Sequence, residues 1–229
     1  MTNYLNEYFY LGGYFIIKPI TRAEWMNHDV LPESLLSASS CICDFYPDSS
    51  VVFNKSRKKK KEYRKEIGVD FSDYNKMEDW LNKESENRFE YPNFFSSLNS
   101  ANEFCQKFLY NQSDLRIIGV ALPKICRDAF LEEQDDLGYG ICKNIHNAMT
   151  IDLHSKILGY EILGYEHGGF HSYICNGLEN QYKNKFDYSL NENGFIETLK
   201  EAQMLANYTN EEVKDAEPVK WFPWAILGA

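Results

Sequence analysis

The chain has 229 residues, 44% hydrophobic and 15% aromatic, with 16 Tyr and 15 Phe; that is enough apolar material for a folded core without disulfides or metals as staples, and it excludes a disordered chain. Its 34 acidic and 24 basic residues give a net charge of −10, which argues against bulk binding of nucleic acid or anionic membrane and favours solubility or a basic partner. Cysteines at 41, 43, 105, 126, 142 and 175 are scattered through segments of core character and read as reduced thiols. The N-terminal residues show no secretion signal, and no apolar run approaches the roughly 18 residues of a membrane span, so a cytoplasmic location is expected.

Tyr8 to Ile20 has strand content, with Gly12-Gly13 marking either a hairpin turn or a bulge. Thr21 with Glu24 has the form of a capping box and predicts a short helix over Arg22 to His28. A strand is expected at Ser40 to Tyr46, where Cys41 and Cys43 share one packed face. Residues 55 to 66 carry Lys58-Lys59-Lys60-Lys61 with almost nothing to bury, and predict a solvated basic segment, a loop or a helix face, with a nucleic-acid patch or a nuclear signal as the functional alternative. Tyr74, Met77, Trp80 and Leu81 predict a helix over Ser72 to Glu84, followed by a long loop over Ser85 to Asn99.

From Leu98 the periodicity sharpens. Ala101, Phe104, Cys105, Phe108 and Leu109 recur as the inward face of a helix, and Leu115 to Leu122, LRIIGVAL, has the form of a strand covered on both faces. Pro123 then opens a helix whose buried stripe is Ile125, Cys126, Ala129 and Phe130. A further helix is predicted over Lys143 to Ile157, then a strand over Tyr160 to Glu166 in which Glu161 is partly buried. The pentapeptide ILGYE occurs twice, at 157–161 and 162–166, but two short copies, one ending a helix and one extending a strand, make no repeat architecture. Phe170, Ile174, Leu178, Tyr182 and Phe186 mark one helix, and Phe195, Leu199, Ala202, Leu205 and Ala206 another. The segment WFPWAIL at 221–227 is too apolar to stay in water and is expected to dock on the body.

Chemistry-bearing residues concentrate around Gly168-Gly169, read as an elbow between a strand and a new helix. There the N–H groups from Gly169 to His171, with the His171 or Ser172 side chain, would receive an anion. Gly168, Gly169, His171 and Ser172 are therefore the candidate ligand-binding residues, and Glu166, His167 and His171 the candidate catalytic set of an enzyme reading. His171 and Cys175 supply only two ligands on a helix face, too few for zinc, so no metal and no cofactor are expected. Cys175 is read as a core thiol, and His28, His146 and His154 as surface groups. Glu132-Glu133, Asp135-Asp136 and Glu211-Glu212 read as ordinary solvated acids, with holding a cation or meeting a basic partner as the functional alternatives.

The pair of motifs YEHGGFHSYICNGLE and LNENGFIETLKEA, within the last third of the chain, resembles uncharacterised bacterial cytosolic proteins, some of the immunity type that accompany secreted toxins. That resemblance implies a stoichiometric neutraliser of a basic protein, working through an acidic, aromatic-rich surface. The competing expectation is a small-molecule enzyme or ligand-binding protein with its site at the elbow. The expected architecture is one α/β or α+β domain over 1–229, a mixed sheet packed against several helices. Its central strand is Leu115 to Leu122, flanked by Tyr160 to Glu166 and by N-terminal strands.

Overall fold

The computed structural model describes residues 3–47, 56–83, 89–90, 94–186 and 188–228. A 3₁₀ turn, Tyr4–Glu7, leads into β1 (Phe9–Ile17), β2 (Ile20–Thr21), β3 (Ser34–Leu35) and β4 (Phe45–Tyr46). Helices α1 (Arg57–Glu66) and α2 (Phe71–Lys83) follow, then β5 (Phe89–Glu90), β6 (Phe94–Phe95), α3 (Leu98–Phe108) and β7 (Arg116–Pro123). The remaining elements are α4 (Arg127–Leu131), α5 (Gly140–His146), β8 (Lys156–Glu166), β9 (Gly169–Ser172), α6 (Glu179–Lys185), α7 (Leu199–Glu212) and β10 (Trp221–Gly228).

The fold is α+β. Eight strands form one sheet in the order β5-β6-β1-β7-β10-β8-β9, with β4 also paired to β1, while β2 and β3 make a separate ladder. Every pairing is antiparallel, so the expected mixed sheet is corrected. The unbroken apolar run of β7 reports burial on both faces and carries no information about strand direction. The flanking order is corrected too: β7 lies between β1 and β10, and β8 is one strand further out, because the apolar C-terminal segment enters the sheet as a strand.

The sheet is strongly curled. Phe15 on β1 and Phe170 on β9 are four strand steps apart, which in a flat sheet is roughly 19 Å at about 4.8 Å per step. Their ring centroids are 6.3 Å apart. The hollow is filled by aromatic rings: Trp224, fully buried, meets Phe170 at 5.0 Å and Phe130 at 5.4 Å, and Phe130 also meets Tyr165 and Phe222. Offset and edge contacts of this kind add about 0.5–1.5 kcal/mol each to the burial of the rings. The bulge reading of Gly12-Gly13 holds, since the β1–β7 register shifts between Leu11 and Gly13. A Cβ at Gly12 would lie 3.0 Å from Val120 Cγ2, and the Gly12 carbonyl accepts from buried Asn144 Nδ2 at 2.7 Å. Helix α5 thereby reads the bulge and packs on β1, while α3 packs on β1 and β7, and α7 on β10 and β8.

Where local pattern and structure part, a hydrogen bond from elsewhere in the chain explains most of the differences. Thr21 belongs to β2, and the Arg22 N–H donates to Glu33 O at 2.7 Å, so the helix expected over 22–28 is replaced by turns. Asn3 Nδ2 donates to the carbonyls of Asp152 and Ser155 at 2.7 and 2.9 Å, and Ile151 N donates to Asn6 Oδ1. This fixes 151–155 as loop and ends the helix expected over 143–157 at His146. The strand expected from Ser40 shrinks to β4, because Ser39 N donates to Ser37 Oγ and Cys41 N to Ser39 Oγ, folding the backbone into successive hydroxyl-capped turns. Ile125, expected in a buried stripe, is 74% exposed, because 124–126 forms a 3₁₀ turn before the short α4. The loop expected over 85–99 contains β5 and β6; its residues 85–88 and 91–93 lie outside the described residues. Among the described residues, no helix is long and apolar enough to cross a membrane.

Candidate functional site

Both ILGYE copies lie in β8, and the strand does not run into a helix. It turns back through His167 and Gly168 into β9, with Glu166 paired to Gly169, Tyr165 to Phe170, Gly164 to His171 and Leu163 to Ser172. The expected strand-to-helix elbow is thus a two-residue hairpin. His167 has φ 49° and Gly168 φ 83°, the left-handed pair that matches the twist of the flanking strands. Glycine adopts this at no steric cost, and histidine is among the few other residues that tolerate it. Gly169 begins β9, and the next helix, α6, starts ten residues later at Glu179, so the helix N-terminus on which the anion pocket depended lies elsewhere.

Alternation along β9 separates the candidate residues. His171 shares the convex face of the sheet with Glu166, whereas Ser172 points into the hollow and is fully buried. On the convex side, His167 Nε2 lies 3.6 Å from Glu166 Oε1 and His171 Nε2 lies 3.9 Å from Glu166 Oε2. His171 Nδ1 lies 3.6 Å from Glu217 Oε1, so that ring has a carboxylate on each side. The catalytic set Glu166, His167 and His171 therefore converges, joined by Glu217, which has no local signal near the hairpin because it arrives from the segment before β10. Among the described residues no group of three or more His, Cys, Asp and Glu side chains is arranged to hold a metal ion.

A cleft of about 310 Å³ opens beside the hairpin tip. Gly168, His167, Glu166 and Tyr165 form one wall, and the turn after α4 forms the other with Glu133, Asp135, Asp136 and Tyr139. Its floor reaches Cys142, whose thiol donates to Gln134 Oε1 at 3.6 Å and is pushed up to about 11, chiefly by burial. Among the described residues four carboxylates line the cleft and no lysine or arginine does; Lys220 reaches Glu133 from outside at 3.2 Å. Gly169, His171 and Ser172 do not line it.

On the concave side Glu161 is 1% exposed and is held by Ser172 of the neighbouring strand and by Ser37 and Ala38, more than 120 positions away. Ser37 Oγ and Ser172 Oγ donate to its Oε1 at 2.6 and 2.7 Å, and Ala38 N donates to Oε2 at 2.9 Å. Burial raises its pKa above the usual carboxylate range, and the three hydrogen bonds pull it back only in part. Ser39 Oγ donates to Phe170 O at 2.8 Å, so the loop 36–43 ties β9 to β4 and hence to β1, bridging two edges of the curled sheet. Alternation in β8 points to the burial of Glu161; Ser37 carries no signal in the sequence.

Comparison with protein-family models, with curated proteins and with solved structures returns no match to this chain.

Proposed function

We propose that this chain is a non-enzymatic, immunity-like factor that binds a basic protein, and that the cleft at the β8–β9 hairpin receives a lysine or arginine of that partner. The observation that carries the reading is the cleft's lining: Glu133, Asp135, Asp136 and Glu166 with Tyr139 and the edge of Tyr165, and no lysine or arginine among the described lining residues. Carboxylates speed the encounter with a cationic partner, and tyrosines supply rigid contact area that also favours a cation over the ring. The hairpin tip is a stiff platform, since its turn geometry and its ladder to β8 fix the wall.

The test is association with a purified basic partner, found as a stoichiometric complex in native lysate or encoded beside this chain. Asp135→Lys with Asp136→Lys should slow association at least about tenfold and flatten its dependence on salt. A chain that retains no partner, or a charge-reversed chain that binds as fast as the parent, would overturn the reading.

A second reading, a small-molecule enzyme or ligand binder, is favoured by Glu166 lying within 3.9 Å of both His167 and His171. It ranks lower because His171 stands outside the cleft with both ring nitrogens facing carboxylates, which suits an ion-pair cluster on the convex face.

A further inference from the structure

The Lys-rich run at 57–66 is absorbed neither by the cleft nor by the core. It forms α1, whose sequence RKKKKEYRKE sets seven cations against Glu62 and Glu66, in a chain whose net charge is −10. Only Tyr63 of this helix is buried, and its ring meets Tyr74 of α2 edge-on at 6.4 Å. At roughly 100° per residue, Arg57, Lys61, Lys65 and Lys58 fall within an arc of about 100° directly opposite Tyr63. All four are exposed. Lys60 and Arg64, between the stripe and Tyr63, are engaged with Glu78 and with the Phe71 ring, the latter at 5.1 Å. Within the stripe the one ion pair among described residues is Lys58 with Glu62, at 3.9 Å between side chains 87% and 63% exposed, a geometry that holds neither.

Two exposed aromatic rings flank the same helix. Phe71, at the start of α2, is 63% exposed and stacked by Arg64, and Tyr110 is 58% exposed. The turn that carries Tyr110 is pinned to the end of α1, where Gln112 Nε2 donates to Glu66 O at 3.1 Å and Asn111 Nδ2 to Gly68 O at 3.2 Å. A row of cations about 6 Å apart along a helix, with two exposed rings near its C-terminal end, is the pairing that tracks a sugar-phosphate backbone and stacks its bases.

We infer that α1, with Phe71 and Tyr110, is a docking face for single-stranded nucleic acid, separate from the acidic cleft. The overall charge opposes long-range attraction, but exposed charges further apart than about 8 Å are largely screened at physiological salt, so the local stripe governs contact. An anionic membrane is the poorer fit, because α1 has no free apolar face to insert.

Fluorescence anisotropy of the whole chain with labelled oligothymidylate and oligouridylate tests this. Binding is expected at low ionic strength, with log affinity falling by about 0.7 per phosphate contacted for each tenfold rise in salt, hence a slope of roughly −2 to −3 for this stripe. Lys58→Glu with Lys61→Glu and Lys65→Glu should abolish binding, and Phe71→Ala should weaken it at least about fivefold with the slope unchanged. All four side chains are exposed, and circular dichroism confirms that each variant is folded. The inference falls if the oligonucleotides do not bind at low salt or if the triple variant binds like the parent. It falls equally if a duplex binds as tightly with Phe71→Ala neutral, or if phosphatidylserine vesicles bind where oligonucleotides do not.

Discussion

Glu161 and Glu166 end two consecutive copies of the same pentapeptide and point to opposite faces of one strand. The copies are offset by five residues, an odd number, so the two-residue period of β8 sends equivalent side chains to opposite sides. One glutamate is sealed under Ser37, Ala38 and Ser172, and the other stands beside two imidazoles at the rim of the acidic cleft. The first ties the loop to the sheet and the second lines the cleft, although their local sequences are identical.

Glu161→Ala should lower the unfolding free energy by about 3 kcal/mol in urea titrations, because two hydroxyls and an N–H lose a buried acceptor. Glu161→Gln keeps an acceptor for Ala38 N–H, and the serine hydroxyls can rotate to receive its amide, so about 1 kcal/mol is expected at neutral pH. The pH dependence distinguishes the two forms. Burial raises the folded-state pKa of Glu161 above its unfolded value of about 4.3, so its contribution is complete below that pH and is lost as pH rises through the folded value. The stability of the parent relative to Glu161→Gln should therefore decline as pH rises; a flat difference would contradict the burial.

The hairpin turn makes a prediction of opposite sign. His167 holds a left-handed φ of 49°, so His167→Gly or His167→Asn should raise stability by about 0.5–1 kcal/mol in a thermal scan. Gly168→Ala, at φ 83°, should lower it by about 1–2 kcal/mol.

Thiol chemistry should be confined to one site. Cys43 is pushed up to about 12 by burial and the neighbouring Glu161 charge, and burial pushes Cys105, Cys126, Cys142 and Cys175 up to about 11. Cys41 is exposed. At pH 8 a thiol of pKa about 11 is roughly one part in a thousand thiolate. Reaction of the native chain with an aromatic disulfide reagent should show one fast equivalent, removed by Cys41→Ser, and the rest only on unfolding.

Trp224→Ala should cost about 3–5 kcal/mol, because the indole fills the hollow between Phe130 and Phe170. Chemical denaturation followed by far-ultraviolet circular dichroism measures it, with Trp224→Phe expected to retain most of the stability.

Elements whose pattern is closed within themselves were legible from sequence. Helix α3 shows its buried Ala101, Phe104 and Phe108 at helical spacing, and β7 shows an apolar run of which six of the strand's eight residues are buried. Helix α2 matches its prediction to within a residue at each end. Elements decided by distant partners were not. The spacing of four from Phe170 to Phe186 suits a helix, yet Phe170 and Ser172 are held in a ladder by residues on the other side of a turn. His167-Gly168 between two alternating runs was the available hairpin signal, and the Gly168-Gly169 pair drew attention one residue too far along. In the candidate site, Glu166, His167 and His171 were found by residue type, whereas Glu217 enters only through tertiary packing.

Strand β10 follows every other described element in the sequence, yet it sits between β7 and β8. While the chain is being translated, β7 and β8 each present a bare row of N–H and C=O groups until residues 221–228 clear the ribosome. The nascent polypeptide thus carries two templates for illicit pairing with its neighbours from the emergence of β8 until that of β10, and its sheet closes as a late, long-range event. Yield in the cell should accordingly depend on how long a chaperone can shield those margins.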